Sequence, residues 1–497
     1  MKYILVCLCL ITLISLSACT ASRNYSPAKK YPGSALQKDY TLLRSILESK
    51  HPSLYWYTSK DSMDMFFDKY YAQIGDSMTE QQFAWHILAP LVDKIHCGHT
   101  SVSMSKAYNK WASGKKIPSF PLFLKIWNDT MAVTGSLNRK DSLFKRGTLV
   151  TAINGLSSKQ LVGKMFNYLP EDGYANNLNY IRLSSNFPYF HRNIFGLSKT
   201  YKVDYINANG KAQTTTLPLY APPADSTSKD SLRAVPKPHI PRSKRRLAYR
   251  SFTIDSSRKM AVLTLNTFTK GGLRTFFRRS FKTLQKQNIK SLVLDIRSNG
   301  GGRVGLSTLL TKYISHTPFR VADTLFAKTR NLGRYTSYIN GSFLNNIALF
   351  FIARKKADGM YHIRHLEKKE YKLKNHRYNG DVYVLVSGPT FSAATIFSNA
   401  VKGQPGIHLL GEETGGGWHG NNGIMIPDVT LPYTKTRVRL PLFRLVQYNH
   451  VPKTGTGVEP DIYVGTSYEA LLKSYDKKMQ VVKEIIYKKG IGTVITE

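Results

Sequence analysis

The chain is poor in cysteine and poor in acidic residues, and it has no apolar run long enough to stay in a membrane as a spanning helix. Its four cysteines are Cys7, Cys9, Cys19 and Cys97, and the first three fall within the first twenty residues. A single cysteine in the folded body excludes a disulfide framework and a CxxC metal pair. Asp and Glu number 31 against 71 Lys and Arg, which gives a formal charge of +40. The bases are spread along the whole chain, so the surface is generally basic and attracted to lipid head groups, glycans or acidic substrates. Nucleic acid would fit the charge. However, no zinc knuckle, helix-turn-helix signature or RNP-type aromatic motif accompanies it, so nucleic acid is not an expected partner. What is present suits a globular protein: 42% hydrophobic and 21% charged residues. At 497 residues the chain calls for two or three domains.

Residues 1–18 read as a targeting segment, with Lys2 as the positive flank and Ile4–Leu16 as the apolar run. That run is too short for a permanent span. It ends in Leu16-Ser17-Ala18-Cys19, which resembles the bacterial lipobox. The resemblance implies that Cys19 is diacylated and becomes the mature N-terminus. Thr20, where an aspartate would imply retention at the inner membrane, implies the outer membrane instead. The expected location is the cell envelope, facing the periplasm. Residues 19–33 read as a polar tether.

Residues 34–113 read as a helical N-terminal domain. Ser34–Ser49 and Asp61–Ile74 are amphipathic, and Thr79-Glu80-Gln81-Gln82 has the spacing of a capping box that opens a third helix. Residues 114–220 form a β-rich module. Its Gly147–Gly155 stretch is a strand with an Asn-Gly turn before a helix, and Tyr201–Leu217 is a hairpin about Asn209-Gly210. Residues 221–248, rich in Pro, Ser, Lys and Arg, are a linker. An α/β pattern occupies 249–466, with an irregular insertion of hairpin pieces at about 323–380. Residues 467–497 are a final helix and tail.

Two features carry chemistry. In VYVLVSGPTFSAATIFSNAVKG (382–403) a buried strand breaks at Ser387-Gly388-Pro389. A helix follows, with Ala393, Ile396, Phe397, Ala400 and Val401 on one face. Ser392 stands at its start. There it caps the helix by accepting a backbone N–H, or it is a nucleophile beside free N–H groups that hold an oxyanion. The second feature is Asp295-Ile296-Arg297-Ser298-Asn299-Gly300-Gly301-Gly302 after another buried strand. Gly300, Gly302 and Gly305, with Asp323 further on, formally match a dinucleotide fingerprint. A strand–helix unit precedes the motif, whereas the fingerprint usually opens its domain, and an exported chain is not expected to meet nicotinamide cofactors. No cofactor is therefore expected. His96 and His99 are three apart but have no further ligand at metal spacing, so no metal is expected either.

DIRSNGGG (295–302), the Ser392 stretch, GEETGGG (411–417) and GVEPDI (457–462) resemble the C-terminal-processing, or tail-specific, serine peptidases. The resemblance runs over about 34–488 and includes GTLVTAINGLSSKQL (147–161), which looks like a PDZ module. It implies a multidomain α+β fold: a helical N-terminal domain, a PDZ-like module and a ClpP/crotonase-like α/β core. It also implies that Ser392 is the nucleophile, with Gly300 or Gly301 and the N–H of Ala393 forming the oxyanion hole. One branch of the family pairs its serine with a lysine in a segment like GEKTFGKG. Here that position reads Gly417, and Lys402 is the only lysine close by on the following helix. The tricorn-like branch uses a histidine, and His99 in CGHTS matches it. Glu459 is then the orienting glutamate, with Glu412 and Glu413 as alternatives. The residue before the histidine is Gly98, not a serine, so Thr100 or Ser101 supplies the orienting hydroxyl, or none does. The expected function is a membrane-tethered periplasmic serine endopeptidase acting on proteins or peptides. A catalytically inactive peptide-binding lipoprotein of the same fold is the alternative, and a dinucleotide-binding enzyme a more remote one.

Overall fold

The structure is a computed structural model, and it describes residues 25–207, 209–222, 241–255, 257 and 260–494. The targeting segment, Cys19 and most of the 221–248 linker lie outside the described residues.

The described chain opens on helices. In α1 (Gly33–Lys50), Leu36, Tyr40, Leu43 and Leu47 recur at helical spacing and pack on Met63 and Phe67 of α2 (Lys60–Ala72). Thr79 and Gln82 close the expected capping box. The helix they start passes through a π-wound stretch, Phe83–Leu88, and stops at Asp93.

The β-rich module is an antiparallel sheet in simple chain order: β1 (Leu122–Trp127), β2 (Thr130–Ser136), β3 (Leu149–Ile153), β4 (Thr200–Ile206) and β5 (Ala212–Pro218). Between β3 and β4 come α3 (Ser158–Phe166), α4 (Asn177–Ser185) and α5 (Phe187–Phe195). The closing hairpin is β4 (Thr200–Ile206) with β5 (Ala212–Pro218). Leu122, Leu124 and Ile126 alternate inward from β1 and meet Leu161, Met165, Leu183 and Phe187.

The α/β part runs β6 (Arg250–Asp255), β7 (Met260–Leu265), α6 (Leu273–Lys286), β8 (Ser291–Asp295) and α7 (Val304–Ile314). A second sheet begins with β9 (Ala322–Ala327), followed by α8 (Ser342–Ile352). The first sheet resumes with β10 (Asp381–Val386), α9 (Ala393–Val401) and β11 (Ile407–Gly411). Next, β12 (Gly420–Ile424) and β13 (Phe443–Gln447) join the second sheet. The last elements are β14 (Ile462–Tyr463) and α10 (Lys477–Val494).

The first sheet has the order β6-β7-β8-β10-β11-β14, parallel except for β6. Its central strands are buried on both faces, which explains their near-continuous apolar runs. Leu292, Leu294, Val382 and Val384 join the core that holds Phe277 and Phe397. Val293, Tyr383 and Leu385 face Val482 and Ile486 of α10. Each such side chain contributes roughly 1.5–3 kcal/mol of burial free energy.

The segment expected as an irregular insertion is more ordered than that. It supplies β9, α8 and the short strands Arg354–Lys355 and Tyr361–His362 to a five-stranded antiparallel sheet completed by β13 and β12. Leu325, Leu349, Phe443 and Leu445 share one core with Leu43, Leu47 and Phe83. The N-terminal helices and the second sheet are therefore one packing unit. Among the described residues, no helix is long and apolar enough to cross a membrane.

Candidate active site

Strand β10 ends at Val386, and Ser387 to Phe391 turn the chain into α9. Ser387 N–H donates to Thr390 Oγ1, and Thr390 Oγ1 donates to the Ile296 carbonyl. Ser392 sits at the apex with φ 55° and ψ −121°. A non-glycine residue in this region costs on the order of 1–3 kcal/mol and persists only where its surroundings impose it. The Ser392 side chain makes no capping hydrogen bond. The capping role is thus absent, and the hydroxyl projects from a strained strand-to-helix elbow, the geometry that exposes a nucleophile.

The glycine loop after β8 packs directly on this elbow. A Cβ on Gly301, whose φ is +95°, would stand 2.8 Å from both the Phe391 carbonyl oxygen and Ser392 Cβ. Only glycine permits that approach. The Gly301 N–H donates to Asn299 Oδ1 at 2.9 Å, while the Phe391 N–H donates to the Asn299 carbonyl at 3.1 Å. Gly301 is therefore committed to the loop. The N–H groups of Gly300 and Ala393 have no partner among the described residues. Of the formal dinucleotide fingerprint, Gly302 packs on the backbone of Phe268 and Thr269, Gly300 and Gly305 have open space where a Cβ would stand, and Asp323 pairs with Lys368 at 3.5 Å.

His99 follows the turn after Asp93 and precedes the short strand Val102–Ser103, which pairs with Arg437–Arg439. Its ring is buried and stacks on Phe391, with centroids 4.6 Å apart. A single point links it to the serine. Where a Cβ on Gly423 would stand, Ser392 Oγ lies at 2.8 Å, Asn421 Oδ1 at 2.9 Å and His99 Nε2 at 3.0 Å. The gap between Ser392 Oγ and His99 Nε2 is therefore no wider than those two distances laid end to end. Neither ring nitrogen has a hydrogen-bond partner among the described residues. Such bonds are often long in unliganded sites and tighten when substrate arrives.

The carboxylate beside His99 is Asp172, a residue the sequence reading did not consider. Its Oδ1 lies 3.7 Å from His99 Nδ1 and accepts the Gly98 N–H at 2.8 Å. Asp172 is buried, in the loop between α3 and α4 of the β-rich module. That loop is pinned from several sides. His96 Nδ1 contacts the Gly173 carbonyl at 2.9 Å, and the Gly173 N–H donates to the His96 carbonyl at 3.0 Å. Arg182 donates to the Pro170 carbonyl, and the Tyr174 N–H to the Gly455 carbonyl. His96 is thus a fastener, with its ring on Tyr174.

The other sequence candidates lie elsewhere. Glu459 is exposed, and its backbone carbonyl accepts from Lys402. Lys402 reaches Asp461 at 2.7 Å, away from Ser392. Glu412 is buried and holds α10 to the sheet through Lys478 at 2.8 Å, Ser387 and Thr466. Glu413 accepts the Gly457 N–H, and burial pushes its carboxyl above the ordinary range. Thr100 Oγ1 is taken by His51 Nε2 at 2.8 Å. Burial holds His51 neutral, its pKa lowered to about 3. Because His51 Nδ1 accepts the Ser53 N–H, Nε2 is the protonated nitrogen and donates to Thr100. Among the described residues, Ser101 makes no hydrogen bond to His99; its carbonyl accepts the Arg439 N–H. Cys97 is buried, its thiol pushed up to about 12, so it is inert as a nucleophile.

Two glycines explain the departures from the resemblance. A Cβ on Gly98 would meet the Phe391 ring at 2.8 Å, so a serine there would displace the ring that stacks on His99. A Cβ on Gly417, the position of the dyad lysine, would meet the Gly420 carbonyl oxygen at 2.7 Å and Asp172 Cβ at 3.4 Å. Asp172 occupies the side on which a lysine would need room. Among the described residues, no group of three or more His, Cys, Asp or Glu could hold a metal ion.

A serine on a strained elbow, a buried histidine beside it and a carboxylate behind the histidine make an arrangement of the serine-hydrolase class. Residues 259–464 match the model of peptidase family S41, and the chain is a serine-type peptidase. No curated protein sequence matches the chain. The fold is similar to the crystal structure of mature CPAF, with a TM-score of 0.61 and 13% identity over 92% of this chain and 98% of that one. It is also similar to mature CPAF complexed with lactacystin, with a TM-score of 0.59 and 13% identity over 92% and 99% of the two chains.

Proposed function

We propose that this peptidase is an endopeptidase that cleaves through an acyl-enzyme on Ser392, with His99 as general base and Asp172 as the carboxylate that orients it. The observation that carries the reading is the convergence of Ser392 Oγ and His99 Nε2 on one point above Gly423. His99 Nε2 takes the Ser392 proton as Oγ attacks the peptide carbonyl. The carbonyl oxygen becomes an oxyanion and accepts from the N–H groups of Ala393 and Gly300. His99 then gives its proton to the leaving amine, and a water activated by the same ring releases the acyl group. Asp172 stabilises the imidazolium and fixes the tautomer that leaves Nε2 free to accept. The inactive peptide-binding alternative has less support, because the strain at Ser392 persists without any capping bond to account for it.

Ile424 also lines a cavity of about 380 Å³, whose wall combines Leu309, Leu325 and Leu445 with Arg274, Lys312 and Lys374. Ile424 directly follows Gly423, so the cavity is suited to a substrate side chain near the scissile bond, its apolar part against the leucines and any acidic end against the bases. In the same reading the α/β sheet is a ClpP/crotonase-like core. The β-rich module is PDZ-like and contributes Asp172 as well as peptide contacts. Cys19 carries a lipid anchor at the outer membrane. Intact mass of the mature chain tests the anchor: Cys19→Ala should lose the acyl mass. Ser392→Ala and His99→Ala should each lose peptide hydrolysis while keeping the parent melting temperature. Retained activity in either variant rejects the mechanism.

A further inference from the structure

Helix α8 is built inside out. A surface helix normally turns its polar face to water. Here Phe343, Leu344, Ile347, Phe350 and Phe351 recur on one face and are 74%, 71%, 42%, 52% and 67% exposed. The inward side holds Leu349 and the polar Asn346, whose Oδ1 accepts the Leu332 N–H at 2.8 Å. Exposing a contiguous apolar face is costly in water, and a patch of this kind marks a site that something covers.

The rim identifies the occupant. From Arg330 to Lys369 the chain carries eight Lys or Arg and two Asp or Glu. Both acids are engaged: Glu367 by Lys356 and His362, and Asp358 by His362. Arg354, Lys355 and Arg364 are exposed, and Arg330 lies 4.5 Å from the Phe350 ring centroid. Aromatic and aliphatic side chains within a ring of bases suit an anionic lipid surface: the apolar face enters the acyl boundary, and the bases meet phosphate. A second copy of the chain fits poorly, because a two-fold contact would set the same bases against each other.

We propose that the exposed face of α8 docks on the surface of an anionic bilayer, lying in the interface without crossing it. The docking is independent of acylation at Cys19. The full chain carrying Cys19→Ala is therefore mixed with phosphatidylglycerol-containing vesicles or with pure phosphatidylcholine vesicles, and the bound fraction is read by flotation. It should partition to the anionic vesicles, weakly to the neutral ones, and less as salt is raised. Adding Phe350→Ser and Phe351→Ser together should lower that partition by about tenfold or more, with the circular dichroism spectrum and melting temperature unchanged. As a second readout, the emission of Phe351→Trp should shift to the blue on adding anionic vesicles only. Absence of partition, or full partition by the double-serine variant, overturns the proposal. A dimer in sedimentation that the same double variant dissociates also overturns it, and would assign the face to a second copy.

Discussion

His99 Nδ1 lies 3.7 Å from Asp172 Oδ1, and the two residues come from different parts of the chain: His99 from the end of the N-terminal helices, Asp172 from the β-rich module. With Ser392 on the α/β sheet, the site is complete only when all three parts are docked.

The first prediction separates Asp172 from Glu459. Asp172→Asn keeps an acceptor for the Gly98 N–H but removes the charge behind His99. Its kcat should fall by about 10²–10⁴-fold with little change in KM. Glu459→Gln should hydrolyse peptide at the parent rate. Steady-state kinetics on the two variants checks both.

A second prediction concerns Gly423. Its backbone does not require glycine, but a methyl group there would stand among Ser392 Oγ, Asn421 Oδ1 and His99 Nε2. Gly423→Ala should fold normally and lose roughly 100-fold or more in kcat/KM, since small displacements of reacting groups carry penalties of that size. Parent activity with a normal melting temperature would show that the space is not used.

Lys402 and His96 should matter little to the chemistry. Lys402→Ala breaks a partly exposed pair with Asp461, worth about 1 kcal/mol or less, and should keep most hydrolysis. His96→Ala loosens the Gly173 loop and should lower the melting temperature while leaving activity measurable. An inactive Lys402→Ala alongside an active His99→Ala would mark a displaced Ser–Lys enzyme.

Stability should respond to pH through Glu171, next to Asp172. Burial pushes its carboxyl up to about 8, and its Oε2 accepts from Asn179. Between the ordinary glutamate range and pH 8, the folded state holds a proton that the unfolded state has released. This group's contribution to stability therefore falls as pH rises through that window. Glu171→Gln should remove that slope and gain on the order of 2 kcal/mol near pH 8, as read by denaturant titration at several pH values. An unchanged slope would place the proton elsewhere.

Much of this architecture was legible in local pattern. The change of period after Val386, the Thr79–Gln82 capping box and the Asn209-Gly210 hairpin each fix their own element through short-range chemistry. The proposed nucleophile was legible only in part: the sequence position of Ser392 allowed a cap as readily as a nucleophile, and the structure adds a strained backbone without a capping bond. Asp172 was hidden because its place beside His99 depends on docking between two segments; the only local sign is an acidic pair, Glu171-Asp172, before a glycine turn. The second sheet escaped because its strands are short and paired across long separations, as β9 is with β13. Helix α8 escaped because its apolar face, Phe343 to Phe351, is turned to solvent, the reverse of the arrangement that a periodicity argument assumes.

The central claim is that Ser392 is a nucleophile activated by His99. The most direct measurement is treatment with a fluorophosphonate, followed by peptide mapping of the adduct by mass spectrometry. The account predicts one stoichiometric adduct on Ser392 in the parent chain, slow or absent labelling in His99→Ala, and none in Ser392→Ala. An adduct on another residue, or no adduct on a chain that hydrolyses peptide, would contradict it.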